Sequence, residues 1–138
     1  LSESFSGNDK SFASHQDFLR ACAVDAMYKH IADPEIRADD IAREVGVSSR
    51  YLSDLFRKTG SSVMNRLLAL RLERASTQLR DAASRAFTIE EIAKNNGCAS
   101  LTHFGRVFKK TYGATPSEWR NAETVDTSFS KDRKDGEA

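Results

Sequence analysis

Side chains able to hold an anion or read the edge of a base are grouped in two short runs of this chain. Ser49, Arg50, Ser53, Asp54, Arg57 and Lys58 make up the first, and Leu101, Thr102, Arg106, Lys109 and Lys110 the second. A guanidinium can donate two parallel hydrogen bonds to a phosphate or to guanine O6 and N7, and an ammonium can neutralise a phosphate as a point charge. Catalytic chemistry finds little support. His15, His30 and His103 are far apart, and none sits in a metal-ligand spacing or beside an activated nucleophile. Cys22 and Cys98 belong to no CxxC or Cys/His cluster. Cys22 falls on an apolar helical stripe, and Cys98 lacks a neighbouring cation pattern that would lower its pKa. No Gly-rich phosphate loop is present. The expectation is a protein that is not an enzyme, with no catalytic residues, no metal and no cofactor.

The two runs close two copies of one pattern. Ile41 and Ala42 lead through Gly46 to Leu52, Leu55, Phe56 and Gly60, and Ile92 and Ala93 lead through Gly97 to Phe104, Val107, Phe108 and Gly113. The isoleucines are 51 residues apart and the phenylalanines 52, which puts one extra residue in the second turn, near Cys98 to Leu101.

Helical periodicity and capping signals supply the elements that would position both runs. A first helix should start at Ser14, with Asp17 three residues on, bury Phe18, Leu19, Cys22, Ala23, Met27 and Ile31, and stop before Pro34. A helix from about Ala38 to Val45, a turn at Gly46 and a helix from Ser49 to Lys58 capped by Ser48 have the spacing of a helix-turn-helix. Ser62 can cap a long helix burying one face of Met64, Leu67, Leu68, Leu72, Ala75 and Leu79. At ~1.5 Å per residue, twenty residues would span about 30 Å, close to the ~34 Å of one duplex turn. Thr88 and Glu91 open the second pair of helices, and Thr115, Pro116 and Glu118 cap a closing helix that holds Trp119. No strand period is evident. The expected fold class is therefore all-α, two helix-turn-helix units joined by a long linker helix, about seven helices in all.

A length of 138 residues suits one domain or two very small ones. The divisions read as a linker or disordered segment at 1–13 and a folded helical domain at 14–122, with units at 36–60 and 87–113, linker helix 62–81, closing helix 115–121 and a polar, disordered tail at 123–138. Net charge is only +1, but the ends are acidic, and from Arg50 to Arg74 six bases face only Asp54 and Glu73. Basic charge gathers where the first unit ends. No apolar run approaches the ~20 residues of a membrane span, so no membrane partner is expected and the chain reads as cytoplasmic. Leu1 in place of an initiator methionine suggests a fragment, with an effector or dimerisation domain upstream in a longer protein.

These residues resemble the DNA-binding region of the AraC/XylS family of bacterial transcription regulators over roughly Ile31 to Asn121. The run from Val47 to Arg57, Arg71 and Leu72 with Ala75, Phe104 to Lys110, and Gly113, Thr115, Pro116 and Arg120 carry the likeness. The resemblance implies sequence-specific binding of double-stranded DNA, with the second helix of each unit in the major groove, in successive turns. Base reading would then fall to Arg50 and Ser53, with Ser49 and Asp54, and to Arg106, with Thr102, Leu101 and Gly105. Arg57, Lys58, Lys109 and Lys110, with the backbone near Ser62 and Thr115, would hold phosphates.

Several alternatives stay open. Asp54 could accept from cytosine N4 or pair with Arg50 or Arg57. Gly105 could permit close approach to DNA or be a tolerated substitution. Arg71, within the apolar long helix, reads as an internal salt-bridge residue rather than a DNA contact. Some relatives also contact RNA polymerase, and the charges from Arg80 to Arg85 are a candidate surface. The rival to a DNA reader is a helix-turn-helix module that binds proteins.

Overall fold

The computed structural model describes the backbone of residues 7–129 and the side chains of residues 14–122. The chain forms α1 (Gly7–Lys29), α2 (Ala38–Val45), α3 (Ser49–Arg57), α4 (Val63–Arg80), a short 3-10 turn (Ala82–Ser84), α5 (Ile89–Asn95), α6 (Leu101–Tyr112) and α7 (Pro116–Phe129). There is no strand among the described residues, so the all-α reading holds. Two helices are longer than expected. The first extends back to Gly7 rather than beginning at Ser14, and the last runs to Phe129 instead of ending near Asn121. The expected linker and tail lie outside the described residues over 1–6 and 130–138.

Internal packing divides the chain into two compact units, Leu1–Leu70 and Arg71–Ala138. In the first, Ile41 and Ala42 of α2 and Leu52, Leu55 and Phe56 of α3 are buried with Ala23, Ala26 and Met27 of α1 and with Val63, Leu67 and Leu70 of α4. Burying each Leu, Ile or Phe contributes about 1.5–3 kcal/mol. An exposed ion pair contributes about 0–1 kcal/mol, so these apolar stripes decide the arrangement. Phe18 departs from the expected stripe. It is 61% exposed on α1, and Ala26 is buried instead.

In the second unit Leu72, Ala75 and Leu79 of α4 are buried, as are Ile92, Ala93, Phe104 and Phe108. Trp119 of α7 closes the aromatic cluster, with its ring centroid 5.8 Å from Phe108 and 5.0 Å from Tyr112. Its indole Nε1 donates to Ser76 O at 3.0 Å. Arg120 donates to the carbonyls of Leu79, Ser84 and Phe87, which pins the 3-10 turn and the chain after it to α7. The single apolar face expected along α4 is replaced by two stripes, one for each unit, and Met64 is left 38% exposed.

Helix ends follow local chemistry. Ser48 Oγ accepts the Tyr51 N–H at 3.0 Å, Ser62 Oγ that of Asn65 at 3.1 Å and Ser100 Oγ that of His103 at 3.1 Å. Thr88 with Glu91 and Thr115 with Glu118 form reciprocal boxes. Arg37 carries no acceptor, so α2 has half a box: the Arg37 N–H donates to Asp40 Oδ2 at 2.9 Å.

Two of these carboxylates titrate below their ordinary values. Asp40 is held down first by the Arg37 N–H and then by Arg43 at 3.1 Å, and Glu118 mainly by the Thr115 N–H. A depressed folded-state pKa adds stability above the unfolded value that is lost as pH falls through the folded one. Thermal unfolding should therefore show Tm falling below about pH 4.5, from the ordinary values of 3.8 and 4.5 downward. The double variant D40N/E118Q should flatten that decline relative to the parent.

Candidate nucleic-acid interface

The second helix of each unit is aimed by the turn before it. Ala42 O accepts the N–H groups of Gly46 at 2.9 Å and Val47 at 3.0 Å, and Gly46 takes φ 90°, where a side chain would be strained. In the second unit Ala93 O accepts from Asn96 at 3.1 Å and Cys98 at 2.9 Å, with Gly97 at φ 80°. Because the Cys98 bond repeats that of Val47, the extra residue lies after Cys98, between it and Ser100. Asn96, fully buried, donates to Gln78 Oε1 at 2.7 Å and Ile92 O at 2.9 Å and ties this longer turn to α4. Burial pushes the Cys98 thiol up, which fits a packing role.

With Leu52, Leu55 and Phe56 buried, α3 leaves Ser49, Arg50, Ser53 and Arg57 exposed and Asp54 half-buried. Arg50 has no carboxylate partner among the described residues. Asp54 does not pair with it: Arg57 Nη1 donates to Asp54 Oδ1 at 2.7 Å. Ser49 Oγ donates to Asp39 Oδ1 at 2.7 Å. Lys58 Nζ donates to Gln16 Oε1 of α1 at 3.1 Å. Ser53, Arg57, Ser62 and Asn65 share the wall of an open concavity of about 460 Å³. Three of the expected DNA-facing residues thus meet in one place.

On α6, Phe104 and Phe108 are buried, while Leu101, Thr102, Arg106, Lys109 and Lys110 are exposed. Arg106 also lacks a carboxylate partner among the described residues. A Cβ built on Gly105 would meet nothing within 4 Å, so packing inside the protein does not demand glycine there. Thr115 is placed differently from an open anion site. Its N–H already donates to Glu118 Oε1 at 2.9 Å.

A family model described as a helix-turn-helix domain matches residues 41–122, more than half of the chain. The chain belongs to the AraC/XylS family. It is similar to the arabinose operon regulatory protein of Escherichia coli K12, 35% identical over 92 residues that make up 66% of this chain and 30% of that protein. A probable thc operon regulatory protein of Rhodococcus erythropolis is 33% identical over 97 residues, 70% of this chain and 29% of the relative. The chain therefore spans less than a third of the length of these relatives. Among solved structures, an AraC-type DNA-binding transcriptional regulator from Chromobacterium violaceum superposes with a TM-score of 0.71 at 32% identity, covering 78% of this chain and 94% of that one.

The two helix-turn-helix units differ in where an exposed guanidinium stands on the second helix. Counted from the caps Ser48 and Ser100, Arg50 is the second residue of α3 and Arg106 the sixth of α6. The sixth residue of α3 is Asp54, held by Arg57. Two supporting contacts had no local sequence signal: Gln16 with Lys58, and Arg20 Nη1 donating to Leu55 O at 3.0 Å. Both join residues more than thirty positions apart. Arg71 is 8% exposed, in agreement with an internal role. Arg80 lies 3.7 Å over the Trp119 ring, which takes it out of the exposed charge expected between Arg80 and Arg85. No helix among the described residues is long and apolar enough to cross a membrane.

The Asp54–Arg57 pair is exposed and worth about 0–1 kcal/mol, so D54N should change stability by less than that. Freeing Arg57 should tighten binding to any duplex and steepen the log–log salt slope by about one unit, read by fluorescence anisotropy across salt. For Gly105, replacement by Ala should raise helix stability by about 1 kcal/mol in denaturant unfolding. Replacement by Gln should lower duplex affinity if the backbone approaches DNA at this residue, and unchanged affinity would remove that role.

Proposed function

We propose that this domain reads a specific sequence in double-stranded DNA, with α3 and α6 entering the major groove in successive turns. Arg50 and Ser53, with Ser49, contact bases from α3, and Arg106 and Thr102, with Leu101 and Gly105, contact them from α6. Arg57, Lys58, Lys109, Lys110 and the start of α4 at Ser62 hold phosphates and set register. Asp54 acts on Arg57 rather than on a base, which favours the pairing reading over recognition of cytosine. Leu101, exposed at the first residue of α6, suits a thymine methyl.

The observation that carries this reading is the pair of exposed guanidiniums, Arg50 and Arg106, without carboxylate partners among the described residues, on the outer faces of two helices that bury Leu52, Leu55 and Phe56 or Phe104 and Phe108 inward. An arginine kept for stability would be expected in an internal contact of the kind Arg20 and Arg120 make. In the longer protein, an upstream effector or dimerisation domain would control this module in the cytoplasm, and RNA polymerase would be a further partner. Names such as arabinose operon regulatory protein support regulation of transcription as its output.

Selection from random duplexes tests the proposal. A motif should be enriched, and R50A and R106A should each weaken binding to it by about 1–3 kcal/mol and relax specificity at different positions. Affinity should also fall steeply between low and moderate salt. No enrichment, with salt-independent binding, would favour the protein-interaction module instead.

A further inference from the structure

Ser49 and Asp39 form a hydrogen bond that bears on which base α3 can accept. Ser49 is the first residue of α3 and Asp39 the second of α2, so the turn at Gly46 brings them together, with Ser49 Oγ donating to Asp39 Oδ1 at 2.7 Å. Both side chains are exposed. An ionised carboxylate can only accept, and a serine hydroxyl has a single proton to give. That proton is committed to Asp39, and only lone pairs remain on the outward side of Ser49.

We propose that Asp39 is a specificity-determining positioning residue: it makes Ser49 an obligate acceptor, which selects a base presenting an exocyclic amine in the major groove. Adenine N6 and cytosine N4 are the donors there, whereas guanine presents O6 and N7 and thymine O4, all acceptors. The second copy lacks the device. Leu101 stands in the place of Ser49, and Glu90, in the place of Asp39, pairs with Lys94 of its own helix at 3.4 Å.

This inference rests on the base-reading role proposed for α3, and selection from random duplexes separates the two. The parent domain should enrich a motif in which the position lost in S49A favours A or C by roughly three- to tenfold over G and T, the scale of one net hydrogen bond. In D39A the freed hydroxyl can donate, so that same position should admit G and T while the others keep their preferences. D39A added to S49A should then change nothing further at that position. A merely structural role for Asp39 would weaken binding evenly and leave the preferences in place, which overturns the inference. A profile for S49A identical to the parent's would overturn it too. Failure of the parent to enrich any motif would remove the DNA-reading function itself. Circular dichroism and thermal unfolding of each variant confirm that the selections compare folded proteins.

Discussion

One carbonyl in each unit, Ala42 O in the first and Ala93 O in the second, holds the turn that everything outward depends on. Ala42 O accepts the N–H groups of Gly46 and Val47, and Ala93 O those of Asn96 and Cys98, so a carbonyl that the end of the helix would otherwise leave bare is satisfied and the chain reverses within a few residues. Only a backbone with positive φ follows that path, which is why Gly46 and Gly97 stand there. Once the turn is set, Ser48 and Ser100 fall at the caps and the next helix must bury its Leu or Phe stripe. The polar residues of α3 and α6 then have no place but the surface. Their outward display is a consequence of apolar burial and of the turn, with no separate force needed to arrange it.

Within that shared frame the two copies have diverged in charge. The first carries its free guanidinium near the start of the helix and neutralises a later position with the Asp54–Arg57 pair. The second carries its guanidinium one turn further on, with Thr102 nearer the start. Such differences cost the fold almost nothing, because exposed pairs are weak, but near a polyanion each changes the local field at close range. The same scaffold therefore presents two differently charged outer surfaces. The overall net charge of +1 hides this, since the charges that matter are paired or unpaired residue by residue.

The supporting contacts show how a reading helix is steadied from behind. Arg20 of α1 donates to Leu55 O near the end of α3, and Gln16 of the same helix accepts from Lys58 just after it. In the other half Arg120 gathers three carbonyls, and Asn96 anchors the longer turn to α4 through Gln78. Hydrogen bonds from a charged donor to otherwise idle carbonyls contribute about 1.5–3 kcal/mol each. They also restrict the motion of the end of α3 and of the turn before α6.

What the amino-acid sequence determined alone was everything governed within a turn or two of helix. The caps at Ser48, Ser62, Thr88 and Thr115, the turn glycines, and the paired stripes of Leu52 with Leu55 and of Phe104 with Phe108 were legible, because each rests on groups only a few positions apart. Tertiary structure decided the rest. Whether Phe18 and Met64 are covered, whether Asp54 chooses Arg50 or Arg57, and which partner takes Lys58, Arg80 or the Ser49 proton depend on rotamers and on segments brought together only by burial of the core. Periodicity marks which face of a helix is apolar. It carries no information about which distant residue will meet that face, so the pairings that tune the reading surface had to come from the folded chain.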